Sequence, residues 1–148
     1  MKLTKQTDFS LRVLIYLSLQ PKGHLVNNKD ITKHFDIPKN HLIKVVHKLS
    51  KLDYIFTKRG RNGGIMLAKL PEKIKISKVV MDMEPTIQLV NCHKPECPLL
   101  PGCDLIPLLA EARAAFFKVL SLYTLADLIK KPKSLNNLIK LIPTAVNE

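Results

Sequence analysis

The order of two adjacent patterns limits the fold of this chain more than any other feature. Residues 38–52, PKNHLIKVVHKLSKL, place Leu42, Val45, Val46 and Leu49 on one face of a helix. Lys39, Asn40, Lys44, His47, Lys48 and Lys51 fall on the other face. Proline suits the first turn of such a helix, where the amide it lacks would have no partner. Residues 54–58 and 65–68 then read as short strands around RGRNGG, whose Asn62, Gly63 and Gly64 are expected to supply the positive φ angles of a hairpin tip. Ahead of the helix, Asn27 or Asn28 can cap a shorter one to about Phe35, with a turn at Asp36, Ile37 and Pro38. Two short helices, then a hairpin with Lys58, Arg59 and Arg61 at its tip, is the order of a winged helix-turn-helix.

Amphipathic helix pairs occur in many α-proteins, so the charge carries the next step. The chain has 148 residues and a net charge of +12, from 24 Lys and Arg against 12 Asp and Glu. Residues 22–62 alone hold ten Lys and Arg against three acids (Asp30, Asp36, Asp53), with four His. Solvation explains a scattered excess. A concentrated one beside a recognition helix favours DNA, because cations that displace counterions from phosphates gain affinity. Lys39, Asn40, His41, Lys44, His47 and Lys48 on the helix are the candidate DNA contacts, with Lys58, Arg59 and Arg61 on the wing. The helix would read the groove and the wing tip would reach phosphates or the minor groove.

The remainder is helical. Residues 7–19 carry Leu11, Leu14, Ile15 and Leu19 at helical spacing, and Pro21 and Gly23 stop the run. Asp8 and Arg12, four apart, can meet on one face. Residues 76–84 suggest a short helix ended by Pro85. From about Asp104 to Tyr123 a long helix repeats Leu105, Leu108, Leu109, Ala112, Ala115, Phe116, Val119 and Leu120. Thr124 with Asp127 three residues later caps a last short helix through Lys130, and residues 133–148 are poorly patterned. The expected class is mainly α with a small β-hairpin wing. A long apolar helix exceeds what one small domain covers, which favours a two-fold homodimer and a palindromic duplex. No apolar run reaches the roughly 18–20 residues of a membrane span. Without a small-residue cleavage site after the first apolar stretch, a cytoplasmic location is expected.

The three cysteines, Cys92, Cys97 and Cys103, all lie in VNCHKPECPLLPGC. A reducing compartment disfavours a disulfide framework. The spacing C-x4-C-x5-C lacks the close pair of a zinc ribbon. Inert cysteines would not cluster in a proline-rich loop. An iron–sulfur cluster fits best by elimination. Three thiols leave a fourth ligand open, with His93, Glu96, Asp104 or a partner-chain residue as candidates. Asp8, on chemistry alone, reads as an ordinary helix-start acid. No Gly-rich phosphate loop, Ser-His-Asp set or HExxH pattern is present, so no enzyme is expected. The division follows: residues 1–75 as the winged helix-turn-helix DNA-binding region, 76–130 as cluster-binding loop and dimerisation helix, and 131–148 as a C-terminal tail.

The segments LTKQTDFSLRVLIYL, IPKNHLIKVVHKLSKLDYI, KRGRNGGIMLAK, MEPTIQLVNC and YTLADL together resemble the winged-helix iron–sulfur regulators. This family includes IscR-like and NsrR-like proteins, and the likeness is to the nitric-oxide-sensitive NsrR-like repressors. It runs from residue 3 to about residue 129. The resemblance implies a homodimer whose cluster is held by Cys92, Cys97 and Cys103. It implies a fourth ligand from the first helix of the other subunit, where Asp8 stands, with Arg12 pairing to Asp8 or lying beside the cluster. It also implies that nitrosylation releases DNA and derepresses nitrosative-stress genes. The IscR-type histidine, three residues past the last cysteine, is absent, since Ile106 stands there. Some cluster-bearing NsrR-like proteins have five residues between the first two cysteines, not four, so both [2Fe-2S] and [4Fe-4S] stay open. Two alternatives remain: a regulator of iron–sulfur homeostasis or redox stress, and an electron-transfer or cluster-carrier protein. The charge on helix and wing argues against the second.

Overall fold

A computed structural model describes residues 2–130; the expected tail, 131–148, lies outside them. The elements run α1 (Lys5–Ser18), α2 (Asn28–Phe35), α3 (Lys39–Lys51), β1 (Ile55–Lys58), β2 (Gly64–Leu67), α4 (Ile76–Met83), α5 (Leu105–Ser121) and α6 (Leu125–Ile129). The winged helix-turn-helix order is present, mostly helical with one two-stranded antiparallel hairpin.

Thr4 caps α1, its hydroxyl accepting from the Thr7 amide. The deep face of α1 is Thr7, Ser10, Val13, Leu14, Tyr16 and Leu17. Spacing alone favours a face through Leu11, Leu14, Ile15 and Leu19. Leu11 and Ile15 are only half-buried, and Leu19 lies past the last turn. The rotation is possible because the small hydroxyls bury without penalty when bonded, as Ser10 Oγ is to the Gln6 carbonyl at 2.6 Å.

Asn27 is the cap of α2, its Oδ1 accepting from the Lys29 amide at 2.9 Å. Asp36 then turns the chain in the left-handed region (φ 50°), a conformation that Asp tolerates. Ile37 plugs the core at the corner, and α3 begins after Pro38. All four residues expected on its inner face, Leu42, Val45, Val46 and Leu49, are buried.

In the wing, Ile55 faces Leu67 and Lys58 faces Gly64. Val26 adds a reciprocal backbone pair with Ile65, each amide 2.9 Å from the other's carbonyl, which steadies the hairpin against the α1–α2 connection. The glycine expectation needs correction. Within the tip, positive φ occurs at Gly60 alone (105°). Gly63 is required for space instead: a Cβ there would run into the Lys58 carbonyl.

Helix α4 buries Ile76, Val79, Val80 and Met83. Helix α6 returns to close the core. The Leu125 amide donates to Ile74 at 2.8 Å, and the Ile76 amide donates to Tyr123 at 3.1 Å. The Thr124 capping box is formed, with both its amide and its hydroxyl 2.8 Å from Asp127 Oδ2. Those bonds hold the Asp127 carboxyl below its usual range. Helix α5 is the exception to this packing. None of its 17 residues is buried. Phe116, Phe117 and Leu120 reach the core, while Leu108 and Val119 stay 60% and 56% exposed. No helix among the described residues is long and apolar enough to cross a membrane.

Candidate nucleic-acid interface and cysteine loop

Burying Leu42, Val45, Val46 and Leu49 turns the opposite side of α3 to solvent. Lys39, Asn40, His41, Lys44 and His47 are exposed there, and Lys58, Arg59 and Arg61 are exposed on the wing. A cleft of ≈ 600 Å³ separates helix and wing, lined by His47, Lys58 and Arg59. It also brings in Asn28, Ile43, Lys51 and Thr57, none of which was among the nine expected contacts. Lys51 stands one turn beyond His47 on the same cationic stripe, and that spacing could have flagged it. Ile43 gave no such signal, because an apolar residue within a polar face reads as noise.

Two expected contacts have other neighbours. Lys48 is half-buried, and its ammonium donates to the Met83 carbonyl at 3.0 Å. His41 leans edge-on against Phe9 of α1, the ring centroids 5.9 Å apart.

Lys48 leads to a junction that the sequence did not reveal. Asp82, Met83 and Glu84, at the end of α4, each hold a different element. The Tyr54 hydroxyl, at the foot of β1, donates to Asp82 Oδ2 at 2.7 Å, and Lys78 pairs with the other oxygen at 2.6 Å. Burial first, then the bond to Asp82, push the Tyr54 hydroxyl well above the ordinary tyrosine range. Met83 binds Lys48 of α3. Glu84 Oε1 accepts from the Thr4 amide at 2.8 Å and its hydroxyl at 3.3 Å, just ahead of α1. The chain passes from this junction directly into the segment that carries the cysteines.

That segment folds back on itself. The Cys97 amide donates to the Cys92 carbonyl at 2.9 Å, closing a turn through His93 and Glu96. The Leu100 amide donates to the Cys97 carbonyl at 3.1 Å, and a short 3-10 turn over Leu100–Gly102 leads to Cys103. All three cysteines are free and half-buried. Cys92 and His93 line a hollow of ≈ 210 Å³ with Ile106, Leu109 and Arg113 of α5. Asp8 lies half-exposed on the outer side of α1, gripped by its own Arg12 through Nε–Oδ1 (3.1 Å) and Nη2–Oδ2 (3.0 Å).

In donor chemistry the loop fits an iron–sulfur group: three unpaired thiols on one short segment are the soft ligands that iron–sulfur centres use. The set is not gathered in advance. Among the described residues no group of three or more His, Cys, Asp or Glu side chains is arranged to hold a metal ion.

Comparisons with known proteins agree with the fold. A family model described as "Rrf2: Iron-dependent Transcriptional regulator" matches residues 3–131. The HTH-type transcriptional regulator NsrR of Halalkalibacterium halodurans is 47% identical over 146 residues, covering 97% of this chain and 100% of that one. The protein of the same name from Geobacillus kaustophilus is 48% identical over 143 residues, covering 95% and 97%. Among solved structures, CymR, the global cysteine regulator of B. subtilis, superposes with a TM-score of 0.68 at 23% identity, covering 86% of this chain and 95% of that one. That likeness concerns the fold.

Proposed function

Because this chain belongs to the Rrf2 family of transcriptional regulators, we propose that it is a cytoplasmic homodimeric repressor, held on a palindromic operator with the help of an iron–sulfur cluster and released by nitric oxide. The chain is a DNA-binding regulator and not an enzyme. In the proposed complex the N-terminal half of α3 enters the major groove, while Lys58, Arg59 and Arg61 reach the flanking backbone. The exposed apolar side of α5 meets its copy, setting two α3 helices about 34–36 Å apart, one turn of DNA.

Cys92, Cys97 and Cys103 would hold the cluster as thiolates. The partner subunit's Asp8 would complete the set, which accounts for a loop one donor short. When bound there, an iron–sulfur group with one oxygen ligand supplies an iron open to a diatomic such as nitric oxide. The chain's own residues carry the consequence. A change in the path of the loop is felt first at Glu84, Met83 and Asp82. Those three hold Thr4, Lys48 and Tyr54, and so the start of α1, the recognition helix and the foot of the wing.

The observation that carries this proposal is the placement of three free thiols on a loop whose entrance is hydrogen-bonded to both DNA-facing elements. Anaerobic purification tests it. Iron and sulfide should co-purify with a coloured protein, and nitric oxide should bleach the colour and lower operator affinity together. Iron-free protein with full, nitric-oxide-insensitive operator binding would refute it.

A further inference from the structure

We infer, on the DNA-binding reading above, that Ile43 reads thymine in the major groove through the C5 methyl group. Ile43 sits in the second turn of α3 and is 50% exposed, whereas its neighbour Leu42 is 1% exposed. It is thus out of step with the buried stripe and stands among Lys39, Asn40, Lys44 and His47. It lines the cleft between α3 and the wing, beside His47 and Lys58. The other large exposed apolar side chains of the DNA-binding half, Phe56 and Leu70, do not line that cleft.

The fold does not explain an isoleucine at this place. Half-exposed, it fills no core space, and a β-branched residue is a poorer helix former than the Ala or Lys that would serve there. An apolar group among cations gains nothing from phosphate. At the base edges of the major groove the apolar feature on offer is the thymine methyl group. Isoleucine suits that contact for a further reason. In a helix its χ1 occupies essentially one rotamer, so ordering it against a base loses little freedom. The cationic neighbours bring the helix to the backbone without regard to sequence, and Ile43 discriminates.

The test uses the full-length protein and a duplex selected from a random library at fixed salt. Each thymine of one half-site is replaced in turn by uracil, which lacks only the methyl group. The wild type should lose about fourfold in affinity at one thymine position, the value of one buried methyl. Ile43→Ala should bind thymine and uracil duplexes equally at that position. Its salt dependence should match the wild type, since no phosphate contact is removed. Circular dichroism should show an intact fold, because the position is half-exposed and Ala favours helix. Equal discrimination by wild type and Ile43→Ala at every thymine would overturn the assignment while leaving the repressor function standing. A wild type with no sequence preference would overturn both.

Discussion

Lys44 and Lys48 lie one turn apart on α3, and their charges have different tasks. Lys44 is exposed, and Lys48 is spent on the Met83 carbonyl. Lys44→Ala and Arg59→Ala should each weaken operator binding and lower the salt slope by about one, read by fluorescence anisotropy across a salt series. Lys48→Ala should change that slope less and lower stability instead, by about 1 kcal/mol in urea unfolding, because it deletes a partly buried charged hydrogen bond. Helical spacing put Lys48 on the outer face correctly. It could not say where the end of a long side chain goes, since the answer sits 35 residues away. The cysteines were legible as a group by composition. Cys92→Ala, Cys97→Ala or Cys103→Ala should remove co-purifying iron with the far-ultraviolet spectrum unchanged, since each thiol is half-buried and unpaired. The ligand role proposed for Asp8 comes from the family resemblance and not from its local chemistry, where its pairing with Arg12 at the surface is that of an ordinary helix-start acid. Asp8→Ala should cost the fold little while altering the visible spectrum and the response to nitric oxide; an unchanged response would remove Asp8 from the ligand set.

At the scale of elements, the wing and the helix pair were readable because their signals are local: caps, a turn and two short alternations. The Val26–Ile65 pairing was not, since a single bridge has no period. Nor was the reason for Gly63, which answers to the backbone of Lys58 rather than to its own dihedral angles. Gly63→Ala should therefore lower stability by about 1–3 kcal/mol through forced overpacking. Operator affinity should fall with it as the wing shifts, measured by thermal unfolding and anisotropy on one preparation. The junction at the end of α4 was also invisible, being built from pairs 28, 35 and 80 residues apart. Tyr54→Phe should cost about 1 kcal/mol. Nitric oxide should still bleach this variant, but its operator affinity should change less than that of the wild type. Because the Tyr54 hydroxyl is held above its ordinary range, its bond contributes fully at neutral pH and is lost only as pH rises beyond the tyrosine range.

For the whole molecule, α5 sets the terms. Its surplus of apolar surface was evident from its length and pattern. The face left open was not, because that depends on how Phe116, Phe117 and Leu120 dock. Leu108→Glu should yield a folded monomer by sedimentation, with operator affinity greatly reduced. A fully dimeric Leu108→Glu protein would move the interface elsewhere. If the proposed dimer forms, α5 is covered only by a second copy, and persistence becomes a question of supply. Dilute chains should melt earlier than concentrated ones, since mass action stabilises the pair, and in a cell the solitary chain is the one that proteases open first. Turnover would then discard single subunits and keep pairs, so that the pool free to search the genome is already matched to two-fold sites.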